Sequence, residues 1–369
     1  MTRELLSLAV PGVRGLRPYE PGKPLTELER EYGIKQAIKL ASNENPLGPG
    51  AKALAAMRAQ LDELGRYPDG NGFALKAALA RKHGIVPEQI TLGNGSNEVL
   101  EFAARAFVLP ENEVVYSRHA FAVYPLVTQA IGARALVTPV RDWGHDLEAM
   151  AAAISARTRL VFVANPNNPT GTWIAADALE RFLERLPEHV IVVVDEAYYE
   201  YVSEAQYPDT IPWVARFPNL VVTRTFSKVH GLAGLRVGYG VSNVPMADLL
   251  NRVREPFNVN SLALAAAEAA LADGQHVADS LAMNSAGMRQ LIQGLDDLSL
   301  TYIPSVANFI TFDVGRPAAP VYEALLRQGV IVRPIANYGM PNHLRVTVGR
   351  PQENERFLEA LTKVLRTED

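Results

Sequence analysis

The chain's 369 residues, 48% of them hydrophobic, are enough for a large core divided between two domains, and 36 basic against 40 acidic side chains leave a net charge of −4 with no basic run, which excludes an electrostatic nucleic-acid binder. No apolar segment is long enough to span a bilayer, and Met1-Thr2-Arg3-Glu4-Leu5 leads into no signal-peptide core, so the expected compartment is the cytoplasm. The absence of cysteine rules out disulfides, thiolate metal ligation and cysteine nucleophiles.

The stretch 11–24 is so rich in proline and glycine that it predicts an extended arm, with Leu16 and Tyr19 packing on another surface. A helix over 25–32 follows and stops at Gly33. Next comes a polar turn, Leu40-Ala41-Ser42-Asn43-Glu44-Asn45-Pro46-Leu47-Gly48; its asparagines either serve the turn or line a site. Helices over 51–64 and 72–83 flank an exposed loop, Arg66-Tyr67-Pro68-Asp69-Gly70.

From Ile90 the pattern changes to short apolar runs separated by amphipathic helices: 90–92, 114–116, 135–138, 160–163, 190–194, 220–222 and 237–241. Such runs predict a seven-stranded, mostly parallel sheet buried on both faces, hence one large α/β domain. Alanine-rich helical sequence over 246–295, interrupted near Pro256, leads into a smaller α+β unit. Its strands are expected at 300–303, 308–312, 330–332 and 344–348, and its helices at 318–327 and 353–365.

Four motifs fall just after strands. Gly93-Asn94-Gly95-Ser96-Asn97-Glu98 opens a helix, where free N–H groups and the dipole favour a phosphate; an ordinary N-cap explains the same residues. Asn165-Pro166-Asn167-Asn168-Pro169-Thr170-Gly171 is a rigid turn at the carboxyl end of a central strand, aimed at the crevice where α/β sheets bind ligands. Asp195 leaves the most apolar strand and needs a partner, either a protonated pyridine nitrogen or a metal or helix start, with Tyr198 three residues on. Lys228, after the run 220–222 in Thr225-Phe226-Ser227-Lys228, is either a surface loop residue or a desolvated amine. A desolvated amine is a nucleophile, and a carbonyl cofactor such as pyridoxal phosphate (PLP) would use it. Phe121 and Tyr124, after the second run, either stack on a planar ligand or pack in the core, and His119 finds no partner in the sequence.

Together with Arg17-Pro18-Tyr19-Glu20-Pro21-Gly22-Lys23-Pro24 and His343-Leu344-Arg345-Val346-Thr347-Val348-Gly349, these motifs resemble the class-II PLP-dependent aminotransferases of fold type I over nearly the whole chain, the histidinol-phosphate aminotransferases most closely. The resemblance implies an aspartate-aminotransferase-like fold with an N-terminal arm and part of the small domain in 1–45, a large PLP-binding domain in 46–250 and a small domain in 251–369. It implies Lys228 as the Schiff-base lysine and base, Asp195 as the pyridine-nitrogen partner, Asn168 and Tyr198 as donors to the phenolic oxygen, and Phe121 as the stacking ring. The phosphate would lie on Gly95, Ser96 and Asn97, with Ser227, Arg236 and Thr225 beside it and Tyr67 reaching it from a partner subunit, which implies a homodimer with shared sites. Arg345 would take the substrate anion, and Tyr19, Asn43, Asn308 and Arg333 would lie near the substrate. One departure is visible: members often carry Pro-Thr where this chain has His119-Ala120.

The implied reaction is a ping-pong transamination of L-histidinol phosphate with 2-oxoglutarate, in histidine biosynthesis. Aromatic amino acids are the alternative donors, and decarboxylation of threonine phosphate is a further alternative. A non-catalytic PLP-binding regulator lacks its expected basic helix-turn-helix, and a nucleotide binder lacks its G-x-x-x-x-G-K-[ST] loop.

Overall fold

All seven apolar runs from Ile90 onward enter one sheet of the computed structural model, which describes residues 2–18 and 21–366. Its strands are β1 (Ile90–Gly93), β2 (Glu113–Ser117), β3 (Arg134–Thr138), β4 (Thr158–Ala164), β5 (Ile191–Asp195), β6 (Leu220–Thr225) and β7 (Gly238–Val241). Their order is β1-β7-β6-β5-β4-β2-β3; β7 runs antiparallel to β1 and β6, and the other pairs are parallel. Parallel neighbours require crossovers, and the crossover helices cover both faces. Alternation along β4 and β5 therefore feeds two cores. Val161, Val163, Val192 and Val194 pack with the helices Phe73–His83, Ala176–Glu184 and Ser261–Leu271, whereas Leu160, Phe162 and Val193 pack with the helix Ser96–Phe107. Only β3, at the sheet edge, is largely exposed.

The second sheet contains β8 (Tyr302–Ile303), β9 (Phe309–Asp313), β10 (Arg333–Pro334) and β11 (His343–Thr347), all antiparallel in the order β8-β9-β11-β10. Leu291 and Leu295 of the helix Gly274–Asp297 and Phe357 and Leu361 of the helix Pro351–Arg366 close its core against Ile310, Phe312, Leu344 and Val346. The run at 330–332 leaves this sheet: Val330–Ile331 pairs in parallel with Ile38–Lys39, fastening the N-terminal segment to the small unit.

One local expectation is corrected, and two elements appear that the sequence pattern did not mark. The stretch 11–24 is not wholly extended, because Pro11–Arg14 is a short helix with Pro11 in its first turn, where the missing N–H costs nothing. A helix at Thr2–Leu8 precedes it. Val140–Arg141 and Gly144–His145 form a small hairpin whose turn residues, Asp142 and Trp143, have φ of 50° and 65°.

Candidate active site

The parallel strands β4, β5 and β6 end side by side, which brings Ala164, Asp195 and Thr225 to the floor of one cavity of about 320 Å³. Asp195 is 5% exposed at the end of an all-apolar strand. Thr223, its register partner on β6, donates to Oδ1 at 3.0 Å, and the Tyr124 hydroxyl donates to Oδ2 at 2.9 Å. Burial still pushes the carboxyl above its ordinary range; the Tyr124 and Thr223 hydrogen bonds and the nearby Lys228 charge pull the other way. Tyr124 is itself fully buried, stacked on Phe162 with ring centroids 4.5 Å apart. In the sequence Tyr124 stands out only as an aromatic, and nothing sets Thr223 apart. Threonine in a β-strand needs no special explanation, and the two donors lie 71 and 28 residues from Asp195.

Lys228 lines the same cavity as Asp195, and the two charges influence one another. Its Nζ donates to the Ser42 carbonyl at 3.3 Å and lies 5.4 Å from the centre of the Tyr198 ring. Desolvation, followed by the Arg345 charge, lowers the amine from 10.5 to about 7, so the neutral, nucleophilic form is available near neutrality. Tyr198 has the opposite requirement: burial pushes its phenol up and keeps it a neutral donor. Asn43, at φ 55°, joins these walls. Its Nδ2 donates to Tyr198 Oη at 2.8 Å, its Oδ1 accepts from Thr347 at 3.1 Å, and its carbonyl accepts from Asn308 at 3.0 Å. Asn45 acts as a brace rather than a lining residue, donating to the Val229 carbonyl and to Ser280, both at 2.8 Å.

At the other end of the cavity the helix Ser96–Phe107 begins without a capping side chain, its Gly95 N-cap at φ 78°. Ser96 and Asn97 line the cavity there, opposite Thr225, Ser227 and Arg236. Arg236, at φ 53°, donates from Nη1 to Ser227 Oγ at 3.2 Å. Glycine is required in this cradle: a Cβ on Gly95 would lie 2.4 Å from Arg236 Nη2, and one on Gly238 would lie 2.3 Å from the Ser96 nitrogen. Uncapped N–H groups, hydroxyls and a guanidinium around one concavity suit a phosphate dianion.

Phe121 and Asn168 line the remaining sides. Asn168 Oδ1 accepts from Arg345 Nη1, and Arg345 Nη2 donates to the Ala41 carbonyl at 2.8 Å, so this cation of β11 reaches the cavity wall, 4% exposed. The remaining residues named from the sequence lie elsewhere. Gly95 shapes the cradle from behind. Asn308 and Arg333 are buried next to the site without lining it, Asn308 holding Asn43. Tyr67 is 83% exposed, stacked on Phe257 at 4.7 Å, and does not line the cavity of its own chain. Tyr19 falls outside the described residues. His119 does have partners: Nδ1 donates to the Tyr338 carbonyl at 2.6 Å and its ring lies 5.7 Å from that of Trp143.

Among the described residues no group of acids and histidines could hold a metal ion, and no helix is long and apolar enough to cross a membrane. The family model for aminotransferase class I and II matches residues 35–361. The chain is 62% identical over 358 residues to "Histidinol-phosphate aminotransferase 1" of Nitrosococcus oceani, covering 97% of each. It superposes on the histidinol-phosphate aminotransferase of Sinorhizobium meliloti, solved in complex with pyridoxal-5'-phosphate, with a TM-score of 0.91 and 30% identity, covering 98% of this chain and 99% of that one. An aspartate aminotransferase from Thermus thermophilus, at 21% identity and a TM-score of 0.83 with 96% and 98% covered, shares the fold.

Proposed function

The chain belongs to the class I and II aminotransferases, and from that membership and its site we propose that it transfers the amino group of L-histidinol phosphate to 2-oxoglutarate with pyridoxal phosphate as cofactor, giving imidazole acetol phosphate and glutamate in histidine biosynthesis. The observation that carries the reading is the pairing, across one cavity, of a lysine amine lowered to about 7 with a buried carboxylate, an uncapped helix start at one end and Arg345 on the wall.

The residues fit this cofactor. Its phosphate would rest on the Ser96 and Asn97 end of the helix with Thr225, Ser227 and Arg236, its ring on Phe121, its phenolic oxygen near Tyr198 and Asn168, and its pyridine nitrogen at Asp195. When bound, it supplies a carbonyl for the amino group and an electron-accepting ring. Asp195, held high by burial while alone, ionises beside a cation and so keeps a proton on the ring nitrogen; Tyr124 and Thr223 aim its two oxygens. Lys228 Nζ, neutral near pH 7, removes the substrate Cα proton. Arg345 presents a planar fork that accepts the phosphate of one substrate and the carboxylate of the other, which lets one site serve both halves of a ping-pong cycle.

In this reading residues 46–250 carry the cofactor, while 1–45 and 251–369 cover it. The active form is a cytoplasmic homodimer: the exposed Tyr67–Phe257 stack is the part of each chain offered to the neighbouring site. Arg333, buried beside Arg345, belongs to the substrate side. The test is single-turnover absorbance of the purified yellow protein mixed separately with histidinol phosphate, glutamate, phenylalanine and threonine phosphate. Rapid bleaching by histidinol phosphate and glutamate is expected. Bleaching by phenylalanine and glutamate alone makes the enzyme an aromatic aminotransferase, and carbon dioxide release from threonine phosphate makes it a decarboxylase.

A further inference from the structure

Behind the site, on the opposite face of the sheet, lies a buried charge cluster that takes no part in the chemistry above. Arg224 stands on β6 between Thr223, which donates to Asp195, and Thr225, which lines the cavity. Strand side chains alternate, so Arg224 points away from the cavity. There Nε and Nη2 donate to Glu196 Oε2 at 2.9 and 2.6 Å, and Nη2 also donates to Asp209 Oδ1 at 2.7 Å. The other Glu196 oxygen accepts from the Thr210 hydroxyl at 2.6 Å and its N–H at 3.3 Å. The guanidinium also lies flat on Tyr199, 3.4 Å from the ring centre. Arg224 and Glu196 side chains are 3% and 0% exposed.

The pattern of partners carries the argument. Glu196 follows Asp195 in sequence, Tyr199 follows Tyr198, and Arg224 sits between two site threonines four residues before Lys228. One guanidinium thus grips the chain neighbours of both Asp195 and Tyr198, while those two side chains themselves line the cavity. Two guanidinium N–H groups converging on one carboxylate oxygen fix direction as well as distance, and burial of both side chains shields this pair from water.

We infer that Arg224 and Glu196 are a positioning pair, which sets the placement of Asp195 and Tyr198 against Lys228 and thereby governs cofactor affinity and the proton balance of the lysine linkage. The inference rests on the pyridoxal phosphate reading. Its test is to titrate the stripped full-length protein with pyridoxal phosphate by tryptophan fluorescence, then follow the pH midpoint of the visible absorbance of the reconstituted enzyme. Glu196→Gln and Arg224→Lys, checked for folding by circular dichroism, are expected to weaken cofactor binding by about 10-fold or more, since small misplacements of a prearranged site are costly, and to move the absorbance midpoint by roughly half a pH unit. Folded variants with wild-type affinity and midpoint overturn the inference, whatever their melting temperature. Should both variants fail to fold, Asp209→Asn, on the half-exposed arm of the cluster, decides: a shift in the same direction of about 2-fold supports it, and no shift overturns it. Failure of the unsubstituted protein to bind pyridoxal phosphate overturns the aminotransferase reading, and this inference with it; normal wild-type binding beside unchanged variants overturns this inference alone.

Discussion

Replacing Lys228 with methionine in the cofactor-free protein is expected to make its stability less dependent on pH, with a direction fixed by the lysine's surroundings. The unfolded chain holds the Lys228 proton up to 10.5, and the folded one releases it near 7. Between those values the unfolded state binds more protons, so wild-type stability rises with pH at about 1.4 kcal/mol per unit at full strength. From pH 7 to 9 this amounts to roughly 2.3 kcal/mol, because the slope is only half developed at pH 7; water reaching the open cavity screens it to about 1–2 kcal/mol. With an unfolding entropy of about 2.1 cal/mol/K per residue, that is a change of about 2 °C in Tm. At pH 6 both states hold the proton, the wild type carries a desolvated ammonium, and Lys228→Met melts higher. The assay is scanning fluorimetry of both proteins from pH 6 to 9.5. The variant's advantage should narrow by about 2 °C between pH 7 and 9, other titrating groups cancelling in the difference. A gap that stays flat or widens with pH would refute the argument.

Tyr124→Phe removes one of the two hydroxyl donors to Asp195, and because hydrogen bonds to charged groups contribute about 1.5–3 kcal/mol, kcat should fall about 10- to 100-fold with substrate KM little changed, measured by steady-state kinetics. Gly95→Ala places a methyl against Arg236 at a left-handed backbone position; cofactor affinity should fall about 10-fold or more while the folded signal by circular dichroism persists, as a fluorescence titration would register. Arg345→Lys keeps the charge but loses the fork to Asn168 and Ala41, so KM for both substrates should rise about 10-fold or more, with less effect on cofactor binding.

The large sheet was legible because strands buried on both faces read as uninterrupted apolar runs, and their carboxyl ends then pointed to Asn168, Asp195 and Lys228 as residues sharing one crevice. The helix Pro11–Arg14 was not, since proline breaks a helix interior but opens a first turn, and only the surrounding packing decides which. The hairpin at 140–145 was hidden by having two residues in each strand and turn residues other than glycine. Tyr124, Thr223 and Arg224 escaped for a different reason. Their meaning lies in partners supplied by other strands, and nothing next to an ordinary strand threonine or arginine marks that partner.

The closure of Asn43 on Thr347 also bears on how the protein is made. Leu40 accepts the backbone N–H of Thr347 at 2.8 Å, and the Asn43 N–H donates to the Thr347 hydroxyl at 2.9 Å, across 304 residues. The segment that supplies Ser42 and Asn43 to the cavity is translated 304 residues ahead of its anchor, Thr347. At about 5–20 residues per second, that is an interval of roughly 15–60 s. During it the sheet can form with its lysine in place while one wall stays open. Until Thr347 is in place, the cavity wall that Asn43 completes has nothing to close on.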